Sequence, residues 1–245
     1  GAETAYRCGA IPCDHIEVDP GNKSSLQNGA KLYMNYCMGC HSLQYARYNR
    51  TAADLGIPED LFQQNLIFDP DTKIGSLMEN AMPEDNAKVW FGATPPDLTL
   101  VSRARQPEWL YTYLRTFYKD DSRPYGVNNR VFKDVGMPHV LLELQGMQEC
   151  ALGPVKADNG GLKRDPLTGE NILEKPCGQF RVVEEGTMNP EEFDSAMYDL
   201  VNFLAYTAEP MAADRKRIGL IVLLFIAVFF VFASLLNREY WKDVH

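Results

Sequence analysis

The five residues Cys37-Met38-Gly39-Cys40-His41 constrain this chain more than any other part of its sequence. Cys-x-x-Cys-His is the motif through which c-type haem is attached covalently. The two thiols add across the vinyl groups of the porphyrin, and the two-residue spacer lets one short turn present both sulfurs to the same porphyrin edge. The adjacent imidazole then reaches the iron from the proximal side. The motif therefore predicts one covalently attached haem c with His41 as an axial ligand.

A zinc knuckle and a redox Cys-x-x-Cys with a chance histidine are the alternatives for this motif. The sequence has no second cysteine pair with metal-ligand spacing nearby and no thioredoxin-like unit, which disfavours both. The other four cysteines, Cys8, Cys13, Cys150 and Cys177, allow three pairings. We favour Cys150–Cys177 and Cys8–Cys13, because each pairing is then local.

Residues 218–236 form a run of 19 residues without a charge. Such a run is long enough for a helix to cross a bilayer core of about 30 Å. Basic and aromatic residues flank it, as expected at the two membrane interfaces. We therefore predict a haem domain at 1–210, a linker at 211–217, a transmembrane helix at 218–236 and a short tail at 237–245.

Charge is distributed unevenly along the chain. The net charge is −9, and residues 211–245 hold five basic and three acidic residues, so residues 1–210 carry −11. A negative domain disfavours nucleic acid as a partner. Acidic pairs such as Glu184-Glu185 could instead steer a basic soluble protein towards the domain.

The chain starts at Gly1 without an apolar leader, which suggests a mature product whose signal peptide has been removed. Haem attachment outside the cytoplasm and four further cysteines fit an oxidising compartment. The basic cluster at 215–217 lies on the haem side, against the positive-inside tendency. Translocation of a large domain depends mainly on its signal. We therefore expect the haem domain outside the cytoplasm and the tail inside.

The first predicted helix is capped by Ser24 or Ser25 and runs to Tyr36, so the haem motif follows its end. Gly29 lies on its apolar face and would let another helix pack closely. Further helices are predicted at 58–68 and, starting with proline in the first turn, at 107–118.

The last helix of the haem domain has clear boundary signals. Asn189 suits the N-cap, Pro190 the first turn, Glu192 a capping box, and Pro210 the end. A first helix bearing the motif and a last helix packed across it is the class I cytochrome c arrangement. The predicted fold is therefore mainly α. Residues 146–188 are rich in Gly, Pro and charge without a long apolar pattern, and we interpret them as an inserted loop region.

The sixth ligand of the iron is not fixed by spacing. A methionine thioether opposite histidine suits electron transfer. Met137 lies between Gly136 and Pro138, where the glycine would permit close backbone approach, and Met82 has a similar setting. These two methionines stay tied, and His139 would give a bis-histidine haem instead. The remaining candidates are Met78, Met147, His15 and His245.

Several segments resemble the cytochrome c1 family, bacterial type. They are the Pro-Pro-Asp-Leu block at 93–99 with Ala104-Arg105, the stretches 113–118 and 123–132, and Glu209-Pro210 followed by 215–220. The resemblance spans roughly residues 24–240 and does not rest on the haem motif. It implies thioether bonds at Cys37 and Cys40, His41 and Met137 as axial ligands, and Arg105 as the partner of a haem propionate. For Arg105 an exposed charge at a helix end is the alternative.

The resemblance implies a membrane-anchored electron-transfer subunit of ubiquinol–cytochrome c reductase in a bacterial inner membrane, with the haem domain in the periplasm. Single electrons would pass from a Rieske iron–sulfur protein to a soluble or tethered cytochrome c. Cytochrome b would oxidise the quinol, and the complex would be dimeric. The sequence itself shows no acid, base or nucleophile with a role. A haem-based sensor and a peroxidase-like protein with a labile sixth ligand are the alternatives.

Overall fold

The computed structural model describes residues 7–9, 11–151, 153–154, 161–171, 173–174, 177 and 179–242. Within the predicted insertion, residues 152, 155–160, 172, 175–176 and 178 lie outside the described residues, as does His245. The chain divides between Ala208 and Glu209 into two compact units.

Helices dominate the described part of the chain. They are α1 (Lys23–Tyr36), α2 (Tyr48–Leu55), α3 (Glu59–Leu66), α4 (Glu84–Phe91), α5 (Val101–Arg105), α6 (Pro107–Arg115), α7 (Leu142–Gln145), α8 (Pro190–Ala208) and α9 (Ala212–Tyr240). The prediction of a mainly helical chain is confirmed.

The strands are short and form antiparallel pairs. They are β1 (Arg7–Cys8) with β2 (Ile11–Pro12), β3 (Leu43–Arg47) with β4 (Leu77–Met78), β5 (Phe117–Lys119) with β6 (Val127–Asn129), β7 (Gly146–Cys150) with β10 (Phe180–Glu185), and β8 (Gly153–Pro154) with β9 (Leu173–Glu174).

The cap of helix α1 lies two or three residues earlier than the predicted Ser24 or Ser25. The cap is Asn22, whose side-chain oxygen accepts a hydrogen bond from the Ser25 N–H at 3.1 Å, and neither predicted serine has this role. The Ser25 hydroxyl instead donates to the Asp199 carboxylate on α8 at 2.5 Å. A tertiary contact therefore uses the side chain that the local pattern assigned to the cap.

Helices α1 and α8 pack closely, with Gly29 at the contact. A Cβ atom at Gly29 would overlap the backbone oxygen of Asp199 and would lie 2.6 Å from Cβ of Phe203. The prediction that Gly29 permits close helix packing is confirmed. Buried apolar side chains of α8 fill the contact and the surrounding core, among them Phe193, Met197, Leu200 and Leu204.

Helix α8 begins with the predicted capping box. The Asn189 side-chain oxygen accepts from the Glu192 N–H at 2.9 Å, and the Glu192 carboxylate accepts from the Asn189 N–H at 2.9 Å. These two bonds satisfy backbone donors that the first turn of a helix leaves free.

The stretch 146–188 is more ordered than its composition indicates. Strand β7 continues directly from α7 and pairs with β10, with an irregularity between Val182 and Glu184. At Gly146, φ is +80° and a Cβ would overlap the carbonyl oxygen of Glu184, so only glycine fits this position. The description of the whole stretch as a loop region is wrong for these two strands.

Both local disulfides are present. Cys8 pairs with Cys13, and Cys150 at the end of β7 pairs with Cys177. The favoured connectivity is therefore confirmed.

The second unit consists mainly of α9. Residues Arg217–Tyr240 are long and apolar enough to cross a membrane, and their side chains are exposed. The helix is longer than predicted, because it begins at Ala212 inside the expected linker and ends at Tyr240 inside the expected tail. Arg215 pairs with Glu209, and Arg217 lies 3.8 Å from Asp214.

Candidate haem site

The Cys-x-x-Cys-His segment forms a tight turn at the end of α1. The Cys37 N–H donates to the Tyr33 carbonyl at 2.9 Å and ends the helix. Within the turn, the N–H groups of Cys40 and His41 both donate to the Cys37 carbonyl, at 3.0 and 2.8 Å. One hydrogen-bonded turn thus fixes the positions of both thiols and of the imidazole.

Cys37 and Cys40 are free thiols, whereas the other four cysteines of the chain are bridged. Cys37 is buried and Cys40 is half-buried. Burial raises the pKa of the Cys37 thiol to about 12, with a smaller contribution from Cys40. This pair has the chemistry required for two thioether bonds to a porphyrin.

The imidazole of His41 is oriented by the chain. Its Nδ1 lies 2.7 Å from the carbonyl oxygen of Pro96. A carbonyl can only accept, so Nδ1 carries the proton and Nε2 keeps its lone pair. Burial lowers the pKa of His41, while Pro96 and Asp97 act in the opposite direction. A neutral histidine with one nitrogen held by a backbone carbonyl is the usual form of an iron or zinc ligand.

Pro96 belongs to a loop that is fastened beside the motif. The Asp97 carboxylate accepts from the Gln44 N–H at 2.7 Å and from the Thr99 N–H at 2.9 Å. These bonds hold the Pro96 carbonyl against His41. The Pro-Pro-Asp-Leu block, which the sequence offered only as a family resemblance, therefore has a physical role in orienting the His41 imidazole.

Tyr33 is a site residue that the sequence analysis did not assign. Its hydroxyl donates to the His41 carbonyl at 2.5 Å and lies 3.2 Å from Sδ of Met38. The side chain is fully buried, and burial holds the pKa of its phenol far above its usual value. Its spacing of eight residues from His41 gave no local signal, because the contact needs the turn that follows α1.

Met137 is half-buried and packs against the main core. Its Sδ accepts a hydrogen bond from the hydroxyl of Tyr113 at 3.4 Å. A thioether sulfur has two lone pairs and this hydrogen bond uses one of them, so the contact is compatible with an axial ligand. Gly136 is predicted to permit a close backbone approach. No atom of the described chain requires glycine there, because a Cβ at this position would lie 3.6 Å from the Phe91 carbonyl, an ordinary contact.

The rival methionines have different surroundings. Met82 is half-buried, and its N–H donates to the Asn80 side chain at 3.2 Å. Met78 is fully buried, with Sδ 3.8 Å from the Thr51 hydroxyl. Met147 lies in β7 and packs against the core. Met137 differs from these three methionines because its sulfur accepts a hydrogen bond from Tyr113, an aromatic residue of α6.

His139 is buried and stacks on Phe117, with ring centroids 4.9 Å apart and planes 4° apart. Burial lowers the pKa of His139 to about 4, although Gln145 and the Gly146 backbone oppose this shift. Gln145 and the Gly146 backbone lie near the ring without forming a hydrogen bond, because neither ring nitrogen of His139 has a hydrogen-bond partner among the described residues. The stack gives this histidine a packing role. His15 is exposed.

Arg105 ends α5, and its guanidinium lies 5.1 Å from the ring centroid of Trp109. The Trp109 ring stacks on Tyr113 at 4.9 Å with planes 10° apart. A cation over an aromatic face is held in place without losing its hydrogen-bond donors. Arg105 is therefore connected through one aromatic ring, that of Trp109, to Tyr113, the residue that contacts Met137.

Residues 18–244 match the Cytochrome C1 family. Cytochrome c1 of Allochromatium vinosum is 51% identical over 95% of this chain and 91% of its own length. A protein of Nitrosomonas europaea described as an ammonia monooxygenase gamma subunit is 42% identical over 96% of this chain and 90% of its own.

A solved chain from a hyperthermophilic respiratory Complex III covers 96% of this chain and 89% of its own, at 14% identity and a TM-score of 0.40. That likeness is too low to support an argument. The family match and the Allochromatium relative are sufficient, and the chain belongs to the cytochrome c1 family.

Proposed function

We propose that this chain is the membrane-anchored c-type cytochrome of a quinol–cytochrome c reductase and relays single electrons. The observation that carries the proposal is the contrast among the cysteines. Four are bridged locally, while Cys37 and Cys40 stay free in one turn next to a histidine whose Nδ1 is already held. Membership of the cytochrome c1 family supports the same function.

The chain's own residues would hold one haem c. Cys37 and Cys40 would form the thioether bonds, His41 would bind the iron through Nε2, and Met137 would bind it through Sδ. When bound, the haem supplies a one-electron ferric–ferrous couple. Arg105 would bind a propionate, because its planar guanidinium can donate two hydrogen bonds to one carboxylate.

Besides the identity of the ligands, burial and the hydrogen bonds around the ligands set the reduction potential of the haem. Pro96 fixes the His41 imidazole, Tyr33 fixes the backbone of His41, and Tyr113 contacts the Met137 sulfur. Each of these groups contacts a residue that would bind the iron. This arrangement favours electron relay over acid–base chemistry.

For the architecture we propose a class I cytochrome c-like haem domain at 1–210, interrupted by the 146–188 insertion. Within and around α9, residues 211–217 would be the juxtamembrane linker, 218–236 the membrane-spanning part and 237–245 the tail. The haem domain would lie in the periplasm and the tail in the cytoplasm. The α1–α8 packing and the apolar helix α9 support this assignment.

As partners we propose cytochrome b, which would oxidise the quinol, and a Rieske iron–sulfur protein as the electron donor. A soluble or tethered cytochrome c would be the acceptor, and the complex would be a dimer. The name of the Allochromatium relative and the family of the chain support this set. The enzyme activity would belong to the complex, with this chain as its electron-transfer subunit.

The test is a potentiometric titration of the purified full chain, followed by absorbance and repeated under carbon monoxide. We expect one high-potential haem whose reduced spectrum ignores the gas, because both axial positions are filled. A low potential with rapid gas binding would contradict the relay and favour a sensor or a peroxidase. Cys40→Ala is the matched variant, and it should retain haem through a single thioether or lose it.

A further inference from the structure

A ladder of five side chains runs from the predicted propionate arginine, Arg105, to His139. Arg105 lies over Trp109, Trp109 stacks on Tyr113, Tyr113 meets Phe117 edge-on at 5.3 Å, and Phe117 stacks on His139. We call these residues the aromatic ladder. Trp109, Tyr113 and Phe117 each have a ladder neighbour on both sides, so the middle ring has little freedom to rotate.

Tyr113 is the middle of the ladder and its only phenol. The side chain is 9% exposed, and the hydroxyl points to Sδ of Met137 at 3.4 Å, within the range for a hydrogen bond to sulfur. The backbone of Tyr113 is also fixed, because the Asn129 amide donates to its carbonyl at 2.8 Å. Ring and backbone together hold the hydroxyl at the thioether.

We propose that Tyr113 is a positioning residue for the distal ligand, which orients the Met137 thioether by a hydrogen bond and raises the haem potential. This inference rests on the proposed function, in which Met137 binds the iron. A hydrogen bond to one sulfur lone pair directs the other lone pair and withdraws electron density from the sulfur. A weaker sulfur donor stabilises ferric iron less, so the ferrous form is favoured.

The test uses Tyr113→Phe in the full-length, haem-loaded chain. This substitution keeps the ring and its stacking and removes only the hydroxyl. We expect the potential to fall, with the ferrous-to-ferric ratio at a fixed electrode potential decreasing by up to about tenfold, which corresponds to about 59 mV for a one-electron couple. The sulfur-to-iron charge-transfer band of the oxidised protein should shift, and the reduced protein should still exclude carbon monoxide.

A second variant reverses the sign of the effect. Incorporation of 3-fluorotyrosine at position 113 provides a stronger hydrogen-bond donor in nearly the same volume, and it should raise the potential. Should Tyr113→Phe fail to retain haem, the 3-fluorotyrosine variant still tests the role of the hydroxyl. Tyr206→Phe is the matched control, because it removes another buried tyrosine hydroxyl, one that donates to Asp54 at 2.7 Å. Its potential should match the wild type.

Two results would overturn the inference in distinguishable ways. If both changes at Tyr113 leave the potential and the band unaltered, while Met137→Leu removes the band, then Met137 is the ligand and Tyr113 does not position it. If Met137→Leu leaves the band intact, Met137 is not the ligand, and the axial assignment in the proposed function fails together with this inference.

Discussion

Gly29 on α1 lies directly against the backbone of Asp199 on α8, so close that a single methyl group at Gly29 would overlap the Asp199 carbonyl oxygen. The Asp199 carboxylate accepts from Ser25 at 2.5 Å and from Asn28 at 2.7 Å. The crossing is therefore fixed by a close backbone contact and by two hydrogen bonds. Because α1 ends in the Cys-x-x-Cys-His turn, this crossing also fixes the position of that turn.

We expect Gly29→Ala to destabilise the haem domain by at least about 2 kcal/mol, because the two backbones must separate. This would lower the melting temperature by roughly 5 °C. In an ordinary exposed helix the same change would stabilise by about 1 kcal/mol, so the sign is diagnostic. Thermal unfolding followed by circular dichroism gives the measurement. The control is Gly75→Ala, where a Cβ meets open space. Equal melting temperatures for the two variants would argue against a tight crossing.

Met137→Leu should lower the haem potential and let carbon monoxide bind the reduced protein, because the thioether ligand is removed while the side-chain volume is retained. Potentiometry and gas-difference spectra provide the measurement. Met82→Leu is the matched control, since Met82 is the rival with a similar proline setting. If Met82→Leu opens the iron and Met137→Leu does not, the ligand is Met82. If neither does, His139 becomes the candidate.

Replacing Cys150 and Cys177 together by serine should destabilise the region around β7 and β10. The two cysteines are 27 residues apart in sequence, and the chain-entropy relation gives a loss of stability of about 3.5 kcal/mol when the bridge is removed. The corresponding double replacement of Cys8 and Cys13 opens a loop of separation 5, for which the same relation gives about 2 kcal/mol. Limited proteolysis and thermal unfolding of both variants would test this order. A larger loss from the shorter loop would contradict the entropic account.

Neutralising Glu184 and Glu185 by glutamine should slow electron transfer to a basic cytochrome at low ionic strength. Both are exposed at the end of β10 and, with Glu143, line a surface cavity of about 410 Å³. Stopped-flow kinetics should show a slower association step, with the difference vanishing at high salt as the charges are screened.

The control for this charge effect is the acidic pair Glu59 and Asp60 in the first turn of α3, which is equally exposed. Its neutralisation changes the net charge by the same amount. Equal slowing by both pairs would attribute the effect to net charge, and no slowing by either would restrict Glu184 and Glu185 to solubility.

The sequence by itself determined the features whose causes are local. The Cys-x-x-Cys-His turn closes within five residues, the Asn189–Glu192 capping box spans one turn, and the apolar run of α9 is a matter of composition. Such features need no knowledge of the rest of the fold, and the prediction identified them.

The tertiary structure alone decided where local signals end. The sequence pattern extends α6 to residue 118, but the helix ends at Arg115. There the side-chain amide of Gln148, a residue of β7, donates a hydrogen bond to the Arg115 carbonyl at 3.0 Å. Asn129 donates in the same way to the Tyr113 carbonyl. These side chains satisfy backbone acceptors that would otherwise continue the helix, and their positions depend on strands far along the chain.

Dependence on distant segments also separates the predicted from the unpredicted parts of the candidate haem site. The Pro96 carbonyl that orients His41 is 55 residues away, and the Tyr113 hydroxyl that contacts Met137 is 24 residues away. A motif specifies which atoms can bind iron, because that is a property of residue types at short spacing. The orientation of those atoms depends on contacts between distant segments, and such contacts exist only once the core has packed.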